Sequence, residues 1–385
     1  MESKLKFKLN DWILLTAVFF LLASFVGTLA GVTRITSLAF TLSLVTVVAF
    51  FVYRCIFRRG INWYFLVIVL LVGLSLIIGG LSSSFEYYKP AIILLASLAC
   101  IEFSSEVCVS DTTKKIAAGL IIAASVLLIV SFHFFGLKDK LYGTTELVSM
   151  NFQNPNEAAM WIMCFIGVAV MSIGLFSNMY LKIACGAVAV LLVPLILSTK
   201  SRNALVACIF FAFAYAVVSF FKIRKLPRWV HAVVTFSPLI VFAVYMIILS
   251  IVPDALDTVI GDDPSKIMSS RAGIWTDVLE SFTSCFIAGD YGEFNDRQMH
   301  NSFATIFCQY GLPLLIAAAC FMSEISYRLQ NKISIYASLS LCTLFVSGCF
   351  ETSLFGGVAG LYLMFFIFPA CCKERKRKVA ADVEQ

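Results

Sequence analysis

Long apolar runs separated by short polar segments recur along almost the whole chain. A helix that spans a membrane needs about 20 predominantly apolar residues. On this template the pattern predicts twelve spanning helices, at residues 12–30, 35–53, 62–81, 90–105, 116–136, 157–177, 179–198, 203–221, 231–252, 303–323, 333–350 and 355–372. The predicted fold is therefore an all-α polytopic integral membrane protein, in which residues 1–385 form a single transmembrane helical domain.

The composition excludes a water-soluble protein. Hydrophobic residues make up 60% of the chain and charged residues only 14%. A soluble domain typically carries about 25% charged residues to cover its surface. No polar stretch is long enough to bury a core of its own.

The formal net charge of +6 is explained by the predicted topology. With a cytoplasmic N-terminus, 20 of the 29 Lys and Arg residues fall in inside segments and nine fall outside. This distribution obeys the positive-inside rule and places both termini in the cytoplasm. The positive charge is a topology signal, so no nucleic-acid partner is predicted.

The thirteen cysteines do not form a recognisable framework. Most of them lie within predicted helices, and there is no CxxC pair of the kind that binds zinc. Only Cys285 is predicted well outside the membrane, where its thiol should be exposed. The others are interpreted as small, buried apolar residues.

One large extracytoplasmic loop, residues 253–302, lies between predicted helices 9 and 10. Loops of this length are usually functional or disordered. Within it, residues 270–282 have helical periodicity and predict a short amphipathic helix on the outer membrane surface, with Trp275 at the interface. Arg271 falls on the apolar side of this helix, where a guanidinium needs an anionic partner or must reach water.

Three residues on the predicted outer face have the chemistry of an anion-binding catalytic site. Arg202 opens the eighth helix, where helix N–H groups and a guanidinium together can bind phosphate. His300 precedes the tenth helix, and imidazole is the side chain best suited to act as a general base near neutral pH. Each residue has a plainer interpretation: Arg202 as a headgroup anchor, Arg271 as an interfacial cation, and His300 as an ordinary loop histidine.

The order of these motifs resembles the bacterial O-antigen ligase/O-antigen polymerase superfamily. The shared features are a Ser-Arg pair before a helix, an R-x3-W loop helix, a G-x-x-G turn, a His-Asn-Ser-Phe segment followed by Tyr-Gly, and an Asn-rich stretch before a central helix. In this chain they correspond to Ser201 and Arg202, Arg271 and Trp275, Gly289 and Gly292, His300 to Phe303, Tyr310 and Gly311, and Asn154 to Asn156. Two departures are Asn203, where many members have Gly, and a loop shorter than in many ligases.

The resemblance implies a metal-independent glycosyltransferase without cofactors, which polymerises undecaprenyl-pyrophosphate-linked oligosaccharide repeats into a surface polysaccharide. The acceptor would be a sugar hydroxyl. It implies a multi-pass protein of the bacterial plasma (inner) membrane with its site on the periplasmic face. Membrane lipids, a chain-length regulator and a flippase are implied partners. The expected catalytic residues are His300, Arg202 and Arg271, and the expected substrate-binding residues are Asn154, Asn156, Glu157, Tyr291 and Asn301.

Three alternatives remain open at this point. An O-antigen ligase would transfer the same lipid-linked glycan to lipid A-core or another acceptor. A lipid-oligosaccharide flippase or secondary transporter fits the helix count equally well, although such proteins usually keep ionisable residues near the membrane midplane. Here the clearest such residue, Glu102, is predicted near the cytoplasmic end of its helix. A non-catalytic membrane scaffold would leave the three candidate catalytic residues without a role.

Overall fold

The computed structural model describes residues 9–58, 62–104, 109–134, 141–142, 145–146, 151–152, 155–251, 278, 280–295 and 299–349. Its elements are almost all helical, with one two-residue antiparallel strand pair. In chain order they are α1 (Leu9–Leu29), α2 (Thr33–Arg58), α3 (Trp63–Ile78), α4 (Phe85–Ser104), α5 (Asp111–Phe134), β1 (Leu141–Tyr142), β2 (Thr145–Glu146), α6 (Pro155–Leu175), α7 (Met179–Ser198), α8 (Arg202–Phe220), α9 (Arg228–Ile251), α10 (Phe282–Cys285), α11 (Tyr291–Phe294), α12 (Ser302–Lys332) and α13 (Ile335–Ser347).

The long helices coincide with the first eleven apolar runs of the sequence. Seven of the described helices are long and apolar enough to cross a membrane, namely α1, α2, α5, α6, α7, α8 and α12. The apolar helices α3, α9 and α13 contribute shorter apolar stretches. The protein is a polytopic α-helical membrane protein. The twelfth predicted span, 355–372, lies outside the described residues.

Polar side chains fix the first residues of several helices. Asn62 and Asn178 accept hydrogen bonds from the backbone N–H groups of Tyr64 and Tyr180, at 3.0 and 2.8 Å, and so begin α3 and α7. Ser334 begins α13 in the same way by accepting from Ala337 N. These N-caps accept hydrogen bonds from backbone N–H groups that have no partner within the helix. The helices therefore begin at these residues.

Two helices lie in the interior of the bundle. In the most apolar stretch of α6 and of α12, 78% of the residues are buried inside the protein, against 22% in α2. Helix α6 packs against α5, α7 and α8, whereas α12 packs against α3, α9 and α13. Helix α13 also packs against α8, and it therefore connects the two groups of helices.

Contacts between helix ends agree with the predicted alternation of the helices across the membrane. Glu102, at the end of α4, accepts from Asn62 N at the start of α3, and Asp11 of α1 accepts from Ser110 N just before α5. These ends were all predicted to be cytoplasmic. His231, on the same side, contacts the hydroxyls of α12 and α13 through Nδ1, at 2.9 Å from Ser326 Oγ and 3.2 Å from Ser338 Oγ.

Helix α12 is interrupted at Gly311, which has φ +84° and ψ 175°. In a continuous helix the Cys308 carbonyl would accept from Leu312 N. Here Asp290 N donates to the Cys308 carbonyl at 2.7 Å, and Leu312 N donates to the Phe286 carbonyl at 3.0 Å. The segment 286–290 thus satisfies both backbone groups that the break releases.

Candidate functional site

The last residues of α13 and the turn after it are the contact point for the predicted site segments. Asn203 Nδ2 donates to Ser347 Oγ at 3.2 Å. On the other side, Ser302 N donates to the Gly348 carbonyl and Asn301 Nδ2 to the Cys349 carbonyl, both at 3.0 Å. The segment 347–349 therefore places the Arg202 and His300 segments, which are 98 residues apart in sequence, at one end of the bundle.

Helix α6 reaches the same point. Ser347 Oγ also lies 3.0 Å from Met160 Sδ. Glu157 lies one turn before Met160, in the first turn of α6, where a carboxylate interacts favourably with the helix dipole. Glu157 and Asn156 are half-buried, and both were expected to bind substrate. Asn154, expected beside them, lies outside the described residues.

The start of α8 contains two buried polar atoms that find no partner in the described part of the chain. Ser201 is the N-cap residue, yet its side chain makes no capping hydrogen bond. Ser201 Oγ and Asn203 Oδ1 are both unpartnered, and each residue is only 5% exposed. Arg202 lies between them and is exposed. Because buried polar atoms are nearly always hydrogen-bonded, these two atoms beside an exposed cation at a helix N-terminus make the start of α8 a candidate binding site.

Strained backbone is concentrated at the site segments. Asn151, Lys200 and His300 have φ values of +66°, +53° and +48°. Residues other than Gly rarely adopt this left-handed backbone conformation. Asn151 precedes the α6 segment, Lys200 precedes Ser201, and His300 is itself a candidate catalytic residue. Such residues are typical of functional sites, where the surrounding structure holds the chain in a costly conformation. The fourth described case, Lys222, lies at the other end of α8.

Asn301 has a structural role, which corrects the expectation that it contacts substrate. Its Oδ1 accepts from Phe303 N and Ala304 N, both at 2.9 Å. Its Nδ2 donates to the carbonyls of Pro238 and Cys349, both at 3.0 Å. The residue is fully buried, and its two amide hydrogens and its oxygen are all engaged. Asn301 therefore fixes the start of α12 and the position of the adjacent His300.

Tyr291 is also structural, contrary to the expectation that it binds a sugar. Its ring is fully buried against Tyr87 and Tyr310, with centroids 5.1 and 5.5 Å away. Its hydroxyl donates to the Tyr87 carbonyl. Burial raises the pKa of Tyr291 to about 12. The ring has no free face for stacking on a sugar.

The glycines of the loop motif allow two backbone segments to touch. Gly289 has φ +71°, and a Cβ there would lie 2.3 Å from the backbone of Gln309. A Cβ on Gly311 would lie 2.5 Å from the Ile287 carbonyl oxygen. A Cβ on Gly292 would lie 3.2 Å from the carbonyl oxygen of Gly79, at the end of α3. Gly289 and Gly311 thus allow the loop segment to pack against α12, and Gly292 allows it to approach the end of α3.

Other predicted features of the loop lie outside the described residues. These are Arg271, Trp275 and most of the amphipathic helix predicted at 270–282, of which the described part is Val278 and residues 280–282, where α10 begins. Cys285, predicted to be an exposed thiol, is fully buried, because α10 packs against α12. Among the described residues there is no group of three or more His, Cys, Asp or Glu side chains placed to hold a metal ion.

The sequence did not indicate the residues that join the site. Ser347 and Met160 carry no motif, and Ser347 is 144 residues from Asn203 and 187 from Met160.

Comparison with models of known families, with curated proteins and with solved structures finds no match to this chain.

Proposed function

We propose that this protein is a membrane glycosyltransferase that polymerises polyprenyl-pyrophosphate-linked oligosaccharide repeats on the outer face of a bacterial plasma membrane. The observation that carries the proposal is the convergence of the α6, α8 and α12 starts on residues 347–349. This arrangement brings a guanidinium, an imidazole and a carboxyl group to one end of the bundle. Those are the groups that a metal-independent transfer from a pyrophosphate donor requires.

The start of α8 is proposed to bind the pyrophosphate of the donor. The Arg202 guanidinium can contact phosphate oxygens in a bidentate manner, and the first N–H groups of α8 add partial positive charge. Ser201 Oγ can donate to a further oxygen, which would satisfy its unpartnered hydroxyl. Arg271 is proposed as the second cation. Negative charge grows on the pyrophosphate as the glycosidic bond breaks, so these groups bind the transition state more strongly than the ground state.

His300 is proposed as the general base. Its imidazole takes the proton from the acceptor sugar hydroxyl while the hydroxyl oxygen forms a bond to the anomeric carbon. The bond from that carbon to the pyrophosphate oxygen breaks, and its electron pair leaves with the lipid pyrophosphate. Asn301 holds the preceding residue in its left-handed conformation and so determines where the imidazole lies.

The position of the site along the helices suits a lipid-linked donor. Asn301 contacts α9 at Pro238, ten residues after the first residue of α9 and therefore about 15 Å along it. Helix α13 has 13 residues and is about 20 Å long, shorter than the roughly 30 Å of a bilayer core. The Asn301 part of the site is thus set back from both ends of α9, at a depth that a pyrophosphate on a membrane-embedded lipid can reach.

The structure also bears on the transporter alternative. Broken helices in transporters leave backbone groups free to bind ions or substrate. At the Gly311 break, however, Asp290 N and the Phe286 carbonyl occupy the released groups. Glu102 is buried, but it lies near the last residue of α4 and accepts from Asn62 N at the start of α3, so it is at a helix end and not at the middle of its helix. Both observations favour the enzyme over a transporter.

Product analysis separates the candidate functions. Purified protein in lipid nanodiscs is incubated with a synthetic polyprenyl-pyrophosphate-linked repeat, with and without EDTA. A polymerase yields lipid-linked chains of two or more repeats, whereas a ligase yields product only when a separate acceptor lipid is added. A flippase or transporter forms no new glycosidic bond under either condition, and that result would overturn the proposal.

A further inference from the structure

Cys285 and Cys308 lie on two segments that pack against each other, a proximity that the sequence did not indicate. Both residues are fully buried in the same hydrophobic cluster, and the Cys308 side chain lowers the pKa of the Cys285 thiol. Cys285 ends α10 in the outer loop, whereas Cys308 lies in the first part of α12. The structure holds both as free thiols.

Backbone contacts on both sides of the pair fix its register. Asp290 N donates to the carbonyl of Cys308 itself, and the carbonyl of Phe286, the residue after Cys285, accepts from Leu312 N. The close approach at Gly289 and Gly311 leaves no room for the two segments to shift. The two cysteines therefore stay on facing segments as long as the loop segment remains docked on α12.

We propose that Cys285 and Cys308 are joined by a disulfide bond in the mature protein. The inference requires only that the loop faces the oxidising extracytoplasmic space, an orientation that belongs to the proposed function. It goes beyond that function because no step of glycosyl transfer uses a thiol. The closed loop contains residues 285–308 and therefore His300, so the bond would tie the candidate base to both of its flanking segments.

The oxidant is a protein disulfide of the extracytoplasmic space, acting by thiol–disulfide exchange. Before the loop segment docks on α12 and buries both thiols, the Cys285 thiolate attacks one sulfur of the oxidant and forms a mixed disulfide, releasing the first oxidant thiol. Cys308 then loses its proton and attacks Cys285 Sγ, releasing the second thiol. Two electrons and two protons pass to the oxidant.

Counting free thiols in the whole protein tests the proposal. Membranes are denatured in SDS and treated with a polyethylene-glycol maleimide, with and without prior reduction, and the adducts are counted on a gel. The wild type should carry thirteen adducts after reduction and two fewer without it. The Cys285→Ser and Cys308→Ser variants should show no dependence on reduction, whereas Cys100→Ser, at a buried cysteine of α4, should keep the two-adduct difference.

Peptide mass spectrometry of the unreduced wild type provides a readout that does not depend on any variant folding. A cross-linked peptide pair containing Cys285 and Cys308 supports the proposal. Equal adduct numbers before and after reduction, with both peptides recovered as free thiols, would overturn it. Neither readout involves activity, so a failure of this proposal and a failure of the proposed glycosyl transfer are distinguishable.

Discussion

Two neighbouring residues at the start of α12 have different roles: Asn301 positions the backbone, and His300 is the proposed base. Asn301 uses its whole side-chain amide in four hydrogen bonds within the protein, whereas the adjacent His300 is half-buried and held at φ +48°. Both belong to one sequence motif, and the sequence assigned both to the site. Their roles could not be separated in advance, because Pro238 and Cys349, which bind Asn301, are 63 and 48 residues away.

Replacing His300 by Asn should lower the rate of glycosyl transfer about 10²–10⁴-fold, the usual contribution of a general base. Asn tolerates a positive φ better than most residues, so the fold should be retained. Initial rates with purified protein check this. His133→Ala, at the exposed end of α5, is the matched control and should keep wild-type activity. A His300→Asn rate within threefold of wild type would refute the role of His300.

Replacing Asn301 by Ala should destabilise the protein by about 2 kcal/mol or more, because a helix cap is lost and two buried carbonyls lose their donor. Asn178→Ala removes the exposed cap of α7 and should cost about 1 kcal/mol. Thermal unfolding in detergent measures the difference. Equal shifts in Tm for the two variants would show that Asn301 is an ordinary cap.

At the scale of elements, the helices follow from the sequence more completely than their junctions do. Apolar length and N-caps such as Asn62 and Asn178 predict where helices run, since these signals are local. The break at Gly311 was visible only as a Tyr-Gly motif. Its geometry depends on residues 286–290, whose backbone groups replace those that the helix loses. Such long-range pairing leaves no periodic pattern in the sequence.

Replacing Gly289 or Gly311 by Ala should destabilise the protein by about 3 kcal/mol or more, because the new methyl group would meet backbone atoms at 2.3 and 2.5 Å. A Cβ on Gly119 in α5 would have no neighbouring heavy atom within 4 Å, so Gly119→Ala should be neutral or slightly stabilising. Folded yield and Tm of the three variants decide the matter. If Gly289→Ala behaves like Gly119→Ala, the loop does not dock on α12 as described.

At the scale of the whole molecule, charge distribution predicted the topology and helix packing agrees with its alternation. Helix ends that are predicted to lie on the same side of the membrane contact each other. Examples are the hydrogen bond between Asn203 and Ser347 and the one between Glu102 and Asn62. The convergence of the site segments could be expected only as far as those segments share a side. Which helices are neighbours is decided by packing of α13 between α8 and α12, and apolar patterns do not specify such neighbours.

Single cysteines introduced on opposite sides test the orientation. A membrane-impermeant maleimide applied to intact spheroplasts should label Ser83→Cys, in the loop between α3 and α4, and spare Tyr180→Cys at the start of α7. Both positions are exposed in the structure. The reverse pattern would place the site in the cytoplasm and end the proposal of glycosyl transfer on the outer face.

Turnover of a polyprenyl-pyrophosphate-linked repeat by wild-type and Arg202→Lys protein, both in EDTA, tests the central claim most directly. The wild type should extend the glycan at full rate without a metal. Lys cannot reproduce the planar bidentate contact of Arg with phosphate, so Arg202→Lys should lose at least about tenfold, equivalent to one charge-assisted hydrogen bond of roughly 1.5–3 kcal/mol. Full activity of Arg202→Lys together with a strict need for Mg²⁺ or Mn²⁺ would contradict the proposed mechanism.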